Sequence, residues 1–322
     1  MHDHLPTAPP RVLAQRADLL RRTRAFFDER GFIEVETPLL SADTVVDRHI
    51  DPFSVDVVLG GQPRRMWLQT SPEFGMKRLL AGGMRAIYQV TRAFRRDERG
   101  ARHNPEFTIL EWYRAGDDMA AAIELLSALV EGLLGRGAAE RLSYAEAFAR
   151  HAGVDAHRAP VEQLAEALGR AKVSIPESMS RSDRDAWLDL VLVECVEPHL
   201  GVARPTILYD YPATQAALAR TRREGDVDVA ERFELYVDGV ELANGYHELL
   251  DAEALAERNR ANNRRRAADG KAELPEESRL LAAMRHGLPP CAGVALGFDR
   301  MVMLASGQRD IAQVIPFPFE RA

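Results

Sequence analysis

The sequence predicts an α+β fold, an antiparallel sheet flanked by helices, and three observations carry that reading. Strand-like runs follow one another through short connections: Ala86–Arg95 and Phe107–Arg114 are joined by one polar loop, and Phe233–Val237 and Val240–Ala243 by Asp238-Gly239 alone. Asp-Gly between such runs is a strong hairpin signal, and consecutive hairpins build antiparallel sheets. Stretches with apolar residues at helical spacing lie before, between and after these runs, as expected of helices packed on a sheet. Finally, 46% of the 322 residues are hydrophobic and 28% charged, the proportions of a globular protein with a sizeable core.

The first helix spans Arg11–Arg30, with Val12, Leu13, Leu19, Leu20, Phe26 and Phe27 apolar, and stops at Gly31. Residues 32–37 alternate as a strand closed by Pro38. Ser71-Pro72-Glu73 opens the next helix, with serine as cap and proline at the first helical position. After the hairpin, residues 117–201 read as helices with short loops, at 119–134, 144–151, 161–171 and 183–199. Strand character returns at Thr206–Tyr209 and in the Asp-Gly hairpin, followed by a polar helix at 252–268. A strand at 293–296, a turn at Gly297 and a helix at 299–305 complete the chain. The expected organisation is a short tail over 1–10 and one catalytic domain over 11–322, with a helical insertion at about 117–201.

A net charge of −7 argues against a protein whose main task is gripping a polyphosphate backbone. No stretch approaches the roughly 20 apolar residues needed to span a bilayer, and the first residues have no apolar run of the secretory kind. Cys195 and Cys291 are too few for a disulfide framework, so a reducing cytoplasm is the expected location. Lysine occurs only at Lys77, Lys172 and Lys271, which reads as composition bias. The basic run Arg258–Arg266 reads as a solvated helix face in preference to a partner surface.

Four segments hold groups suited to chemistry. On the strand 107–114, alternation puts Phe107, Ile109, Glu111 and Tyr113 on one face. Glu111 and Tyr113 can both accept hydrogen bonds from an ammonium. The loop before that strand is dense in phosphate-seeking donors, Arg95, Arg96, Arg99, Arg102, His103 and Asn104, although a solvated charged loop looks the same. Gly297 precedes a helix whose first turn holds Arg300, an arrangement that attracts anions. Glu241 and Glu248 flank Asn244-Gly245, read as a sharp turn, and such a carboxylate pair suits magnesium or merely solvates a hairpin. Ser71-Pro72-Glu73 is by itself a helix cap.

Together these segments carry more than they do singly. Phe94-Arg95 with His103-Asn104-Pro105-Glu106-Phe107-Thr108 resembles motif 2 of class II aminoacyl-tRNA synthetases, in the form found in lysyl-tRNA synthetase. Gly293–Arg300 with Met301-Val302-Met303 resembles motif 3, and the opening helix, strand and Pro38 resemble motif 1. The likeness runs from about residue 11 to the C-terminus and implies the class II synthetase catalytic core. Motif 1 begins almost at once, where lysyl-tRNA synthetase first has an anticodon-reading domain, and Ala295 stands where that synthetase has glycine beside the amino-acid pocket. Both features, with residues 209–218 and 241–249, resemble the synthetase paralogue that attaches (R)-β-lysine to elongation factor P.

The resemblance implies a ligase that uses ATP and Mg²⁺ and a small diamino acid, with elongation factor P as acceptor, no stable tRNA binding, and a homodimer. It implies ATP contacts at Arg95, Arg96, Asp97, His103, Asn104, Phe107, Glu241, Leu242, Gly297 and Arg300, with Arg95 and Arg300 catalytic. It implies substrate contacts at Ser71, Pro72, Glu73, Glu111, Tyr113, Asn244 and Glu248, and magnesium at Glu241 and Glu248. Within motif 2, either Arg95 with Asp97 or, one residue on, Arg96 with Glu98 can supply the arginine–acid pair. Three rival readings share the core: a truncated synthetase charging tRNA, an ammonia-dependent asparagine synthetase, and a non-catalytic regulatory paralogue. The acidic residues Glu73, Glu111 and Tyr113 disfavour an aspartate substrate, and the retained Arg95 and Arg300 disfavour loss of catalysis.

Overall fold

Pro9 and Pro10 open helix α1 (Pro10–Asp28), at positions where an amide N–H would have no helical partner. In this computed structural model, which describes residues 4–322, the chain divides into two units. One runs to Asp117 and resumes over Leu249–Ala322; the other is Asp118–Glu248.

In the first unit α1 buries Val12, Arg16, Leu19, Thr23 and Phe27, one residue per turn along a single stripe. The chain continues through β1 (Ile33–Glu34), β2 (Leu40–Ser41), β3 (Ser54–Leu59), β4 (Gln62–Leu68), α2 (Glu73–Ala81), β5 (Ala86–Phe94) and β6 (Glu106–Ala115). β1 pairs in parallel with β5, and β5 pairs antiparallel with β6 in register from Ala86↔Arg114 to Phe94↔Glu106. Phe27 packs between them, stacked on Tyr88 at 4.7 Å and tilted against Trp112 at 5.3 Å. The strand expected over 32–37 shrinks to β1 because Thr37 turns to Gln89 through its side chain (3.1 Å) and Pro38 has no N–H to extend the ladder. The small antiparallel sheet β2–β4–β3 was not anticipated. Its one sequence signal is Gly60-Gly61, both at positive φ as a two-residue hairpin turn requires.

The second unit holds α3 (Met119–Leu134), β7 (Glu140–Ser143), α4 (Tyr144–His151), α5 (Val161–Arg170), α6 (Arg184–Val191), β8 (Thr206–Pro212), β9 (Thr221–Glu224), β10 (Val227–Val237) and β11 (Val240–His247). Asp118 caps α3, and Ser143 with Glu146 forms a capping box on α4. β10 pairs with β11, β8 and β9, and β7 adds to β8 in parallel. The helices close over one face with Tyr144, Phe148, Trp187, Leu208, Tyr211 and Tyr236 in a common core. The helix expected over 183–199 ends at Val191 and gives way to a π turn and a 3₁₀ turn, since Pro198 cannot continue an α ladder.

Asp238 and Gly239 both take positive φ and close the β10–β11 hairpin as expected. Asn244-Gly245, expected as a second sharp turn, lies instead inside β11, opposite Glu234 and Phe233. The glycine is there for space: a Cβ at Gly245 would come within 2.3 Å of the Phe233 ring. Gly245→Ala is therefore expected to destabilise the fold by about 1–3 kcal/mol through overpacking, measurable as a lower denaturation midpoint with an unchanged slope.

The first unit resumes with α7 (Ala252–Ala268), capped by Asp251, then α8 (Arg279–Gly287), β12 (Cys291–Gly297) and α9 (Phe298–Ser306). β12 pairs antiparallel with β6, placing Ala295 opposite Glu111 and Gly293 opposite Tyr113. α8, not anticipated, buries Leu280, Leu281 and Met284 and packs on α2. In the basic run, Arg260 and Arg264 pair with Glu257 at the surface, but Arg266 is buried and bonded to Asp51 at 2.7 Å. Among the described residues no helix is long and apolar enough to cross a membrane.

Candidate active site

In the first unit the predicted nucleotide residues gather where β6 meets β12 and α9. Asp299, buried in the first turn of α9, pairs with Arg16 at 2.6 Å and accepts from the Thr108 backbone N–H at 2.7 Å. Arg16 also donates to Thr108 Oγ1 at 2.7 Å, so α1, β6 and α9 meet in one knot. This knot fixes the helix whose first turn presents Arg300. The Arg300 guanidinium lies 2.7 Å from His103 Nε2. Burial and the charges of Arg300, Arg95 and Arg102 push the His103 imidazole below its ordinary range, against a smaller opposing effect from Glu98. A neutral His103 can accept from Arg300 while both face one anion. Arg16 was not anticipated as part of this site; the signal for it was a charge inside the apolar stripe of α1.

Arg95 bonds the Thr70 carbonyl at 3.3 Å, approaches Glu98 at 3.5 Å and lies over the Phe107 ring at 5.1 Å. Arg96 and Asp97 turn outward, with side chains 55% and 75% exposed, and Asp97 takes φ 70°. The structure thus pairs Arg95 with Glu98, a combination of the two registers, and removes Asp97 from the inward face. Gly297 is the N-cap of α9 and lets the chain turn beneath Arg300. Asn104 is 6% exposed and already committed: it donates to the Glu106 carbonyl at 2.5 Å and accepts from the Phe319 N–H at 3.1 Å. Its place is to fasten the loop to the C-terminal segment.

The predicted amine pocket is also assembled in this unit, at the start of α2 and the middle of β6. Ser71 donates to Glu111 Oε1 at 2.5 Å, Tyr113 donates to Glu111 Oε2 at 3.0 Å, and Ser71 Oγ accepts from the Glu73 N–H at 3.1 Å. Pro72 is the N-cap of α2 and turns Glu73 into its first position. Glu73 is held by Lys77, one helical turn on, a buried cation that was not anticipated here. Glu111 is 1% exposed, and burial, with the Glu73 charge second, pushes its carboxyl up to about 8 against the Ser71 and Tyr113 bonds and Arg95.

An ammonium ligand needs Glu111 ionised, so below about pH 8 binding must release its proton. The sign follows: affinity for an amine strengthens as pH rises and the empty pocket loses the proton, then levels off above that value. Between pH 6 and 8 the KM of an amine substrate is expected to fall by up to about tenfold per pH unit. A flat profile in a pH series of steady-state rates refutes it.

The second unit holds Glu241, Leu242, Asn244 and Glu248 on or beside β11. Glu241 pairs with Tyr236 and Ala243 with Leu235, so Leu242 is an extra residue, a bulge that returns Glu241 to the face of Asn244 and Glu248. Glu241 lies in β11 and Glu248 just beyond it, bridged to Ala219, and the intervening Asn244-Gly245 is strand and not the turn expected. The Asn244 amide donates to Tyr246 at 2.7 Å, while its Oδ1 is buried and accepts from no described residue. Such an acceptor suits an N–H donor brought by a ligand. Glu234 shares the face of Asn244, with its carboxylate held by Arg232, Tyr211 and Tyr236.

Residues 7–321 match the family described as tRNA synthetases class II (D, K and N). The chain is 47% identical to a protein of Klebsiella pneumoniae (strain 342) named elongation factor P--(R)-beta-lysine ligase, over 98% of both chains. Proteins of the same name from Vibrio cholerae and Hamiltonella defensa are 47% and 44% identical, over 99% and 98% of each chain.

Proposed function

Because this chain belongs to the class II tRNA synthetases of the D, K and N type, we propose that it is an ATP-dependent ligase that activates (R)-β-lysine as an adenylate and transfers it to a lysine side chain of elongation factor P. The observation that carries the substrate is the buried carboxylate of Glu111, gripped by Ser71 and Tyr113 beside Glu73, a pocket made to take amines.

The substrate carboxylate attacks the α-phosphorus of ATP and displaces pyrophosphate; an amine of the acceptor then attacks the acyl carbonyl and expels AMP. Positioning and charge stabilisation do most of the work in such transfers. Arg95 holds the α-phosphate, and Arg300 with His103 takes the γ-phosphate end. Phe107 stacks on adenine with the ring face that Arg95 does not cover. Ser71 and Glu73 receive the amine nearer the carboxylate, and Glu111 and Tyr113 the distal one; in the second unit, Asn244 Oδ1 and Glu248 offer acceptors of their own. Glu241 and Glu248 would hold magnesium, and the ion would neutralise charge on the phosphates. A reducing cytoplasm suits Cys195 and Cys291, which are both buried and outside any disulfide.

Incubation with ATP, magnesium and labelled β-lysine, together with either elongation factor P or total tRNA, tests the function. Label is expected on the protein; label on tRNA alone overturns the reading. The net charge of −7 supports a protein acceptor, since it offers no general attraction for a polyanion. A homodimer through the α1–β1 region is part of the proposal, supported by the exposed Ile33, Leu39 and Leu40 beside Pro38. Light scattering at micromolar concentration is expected to give twice the chain mass.

A further inference from the structure

Lys77 is a cation inside a pocket built to bind cations. It follows Glu73 by one turn of α2, its side chain is 2% exposed, and its ammonium pairs with the Glu73 carboxylate. The same ammonium lies 5.9 Å from the centre of the Tyr113 ring. With the bonds already described, a circuit closes: Glu73 N–H to Ser71, Ser71 to Glu111, Tyr113 to Glu111, and Lys77 from the Tyr113 ring back to Glu73. In a chain whose cations are nearly all arginine, this position carries a lysine. A compact ammonium fits a closed slot that a guanidinium fork would overfill.

The groups facing Glu111 explain what the cation does. Glu73, which Lys77 pairs with, comes from α2, Tyr113 from β6 itself, and Arg95 from the end of β5; opposite Glu111 stand the uncharged Gln89 on β5 and Ala295 on β12. Two buried carboxylates in one pocket cannot both ionise unless a cation offsets them. Glu111 already keeps its proton to about pH 8 beside Glu73; without Lys77, Glu73 would lose the partner that holds its carboxylate in place.

We propose that Lys77 is the positioning residue behind selectivity for a diamino acid: through its ion pair it holds the Glu73 carboxylate turned to the amine nearer the substrate carboxylate, leaving Glu111 for the distal amine. This rests on the diamino-acid reading given above. Lys77→Met, close in volume but uncharged, is expected to raise KM for the diamino acid tenfold or more in ATP–pyrophosphate exchange. KM for ATP should stay within twofold, and the pH at which the diamino-acid KM levels off should move upward. An unchanged diamino-acid KM, or parallel losses in both KM values and kcat, overturns the proposal.

A measurement on the unaltered chain guards against a variant that does not fold. With lysine only at 77, 172 and 271, labelling lysine with ¹³C at Cε gives three side-chain signals, assigned by Lys172→Arg and Lys271→Arg. Titration with the diamino acid is expected to move the Lys77 signal and leave the other two in place. A stationary Lys77 signal in protein that exchanges pyrophosphate overturns the role of Lys77 alone. Absence of exchange with every diamino acid overturns the reading beneath it as well.

Discussion

Arg300→Ala is expected to slow ATP–pyrophosphate exchange by on the order of a hundredfold or more, with the thermal unfolding profile unchanged. The two halves of this expectation come from neighbouring residues. Arg300 presents its guanidinium at the start of α9, 2.7 Å from His103, where on the proposed reading it would meet developing charge on the departing phosphates. The helix itself is anchored by Asp299, through Arg16 and the Thr108 backbone, and by burial of Phe298, Met301 and Val302. Truncating Arg300 leaves all of those contacts in place. An exchange rate within a few-fold of the parent removes Arg300 from the phosphate site; a collapsed melting curve shows that the side chain holds the fold.

Glu111→Gln is expected to lower kcat/KM for a diamino acid by roughly a hundredfold or more while barely affecting a neutral analogue such as norleucine. Glutamine keeps the shape and can still accept from Ser71, so β6 and its register with β5 should persist. What is lost is the negative charge facing the distal ammonium, which then sits desolvated and poorly paired. The same substitution is expected to flatten the pH dependence of KM, since the group that titrates near 8 is gone. Unchanged discrimination between the diamino acid and norleucine in an exchange assay places the amine pocket elsewhere.

Much of the architecture was legible in the sequence because its signals are local. Apolar spacing gave α1, α3 and α4, and Asp238-Gly239 placed the β10–β11 turn, since periodicity and turn chemistry act over a few residues. Strand alternation was enough to put Glu111 and Tyr113 on one face, and the spacing of three motifs pointed to the class II family. The errors arose where a neighbour distant in sequence decides. Asn244-Gly245 has turn chemistry, yet Phe233 across the hairpin needs the space that glycine leaves, so the segment stays extended. Asp97 and Glu98 differ by one position, and only the folded loop decides which of them faces Arg95.

The sequence by itself determined which groups are available for chemistry: arginines that suit phosphates, and carboxylates with a phenol that suit amines. Only the tertiary structure decided their electrical state. Glu111 reads as an anion along the chain, but burial beside Glu73 keeps its proton to about pH 8. Lys77 reads as one of three scattered lysines, but the α2–β6 contact seals it among acids. Charge in water is a property of residue type; charge in a low-dielectric interior depends on what surrounds the group, and folding alone assembles those surroundings.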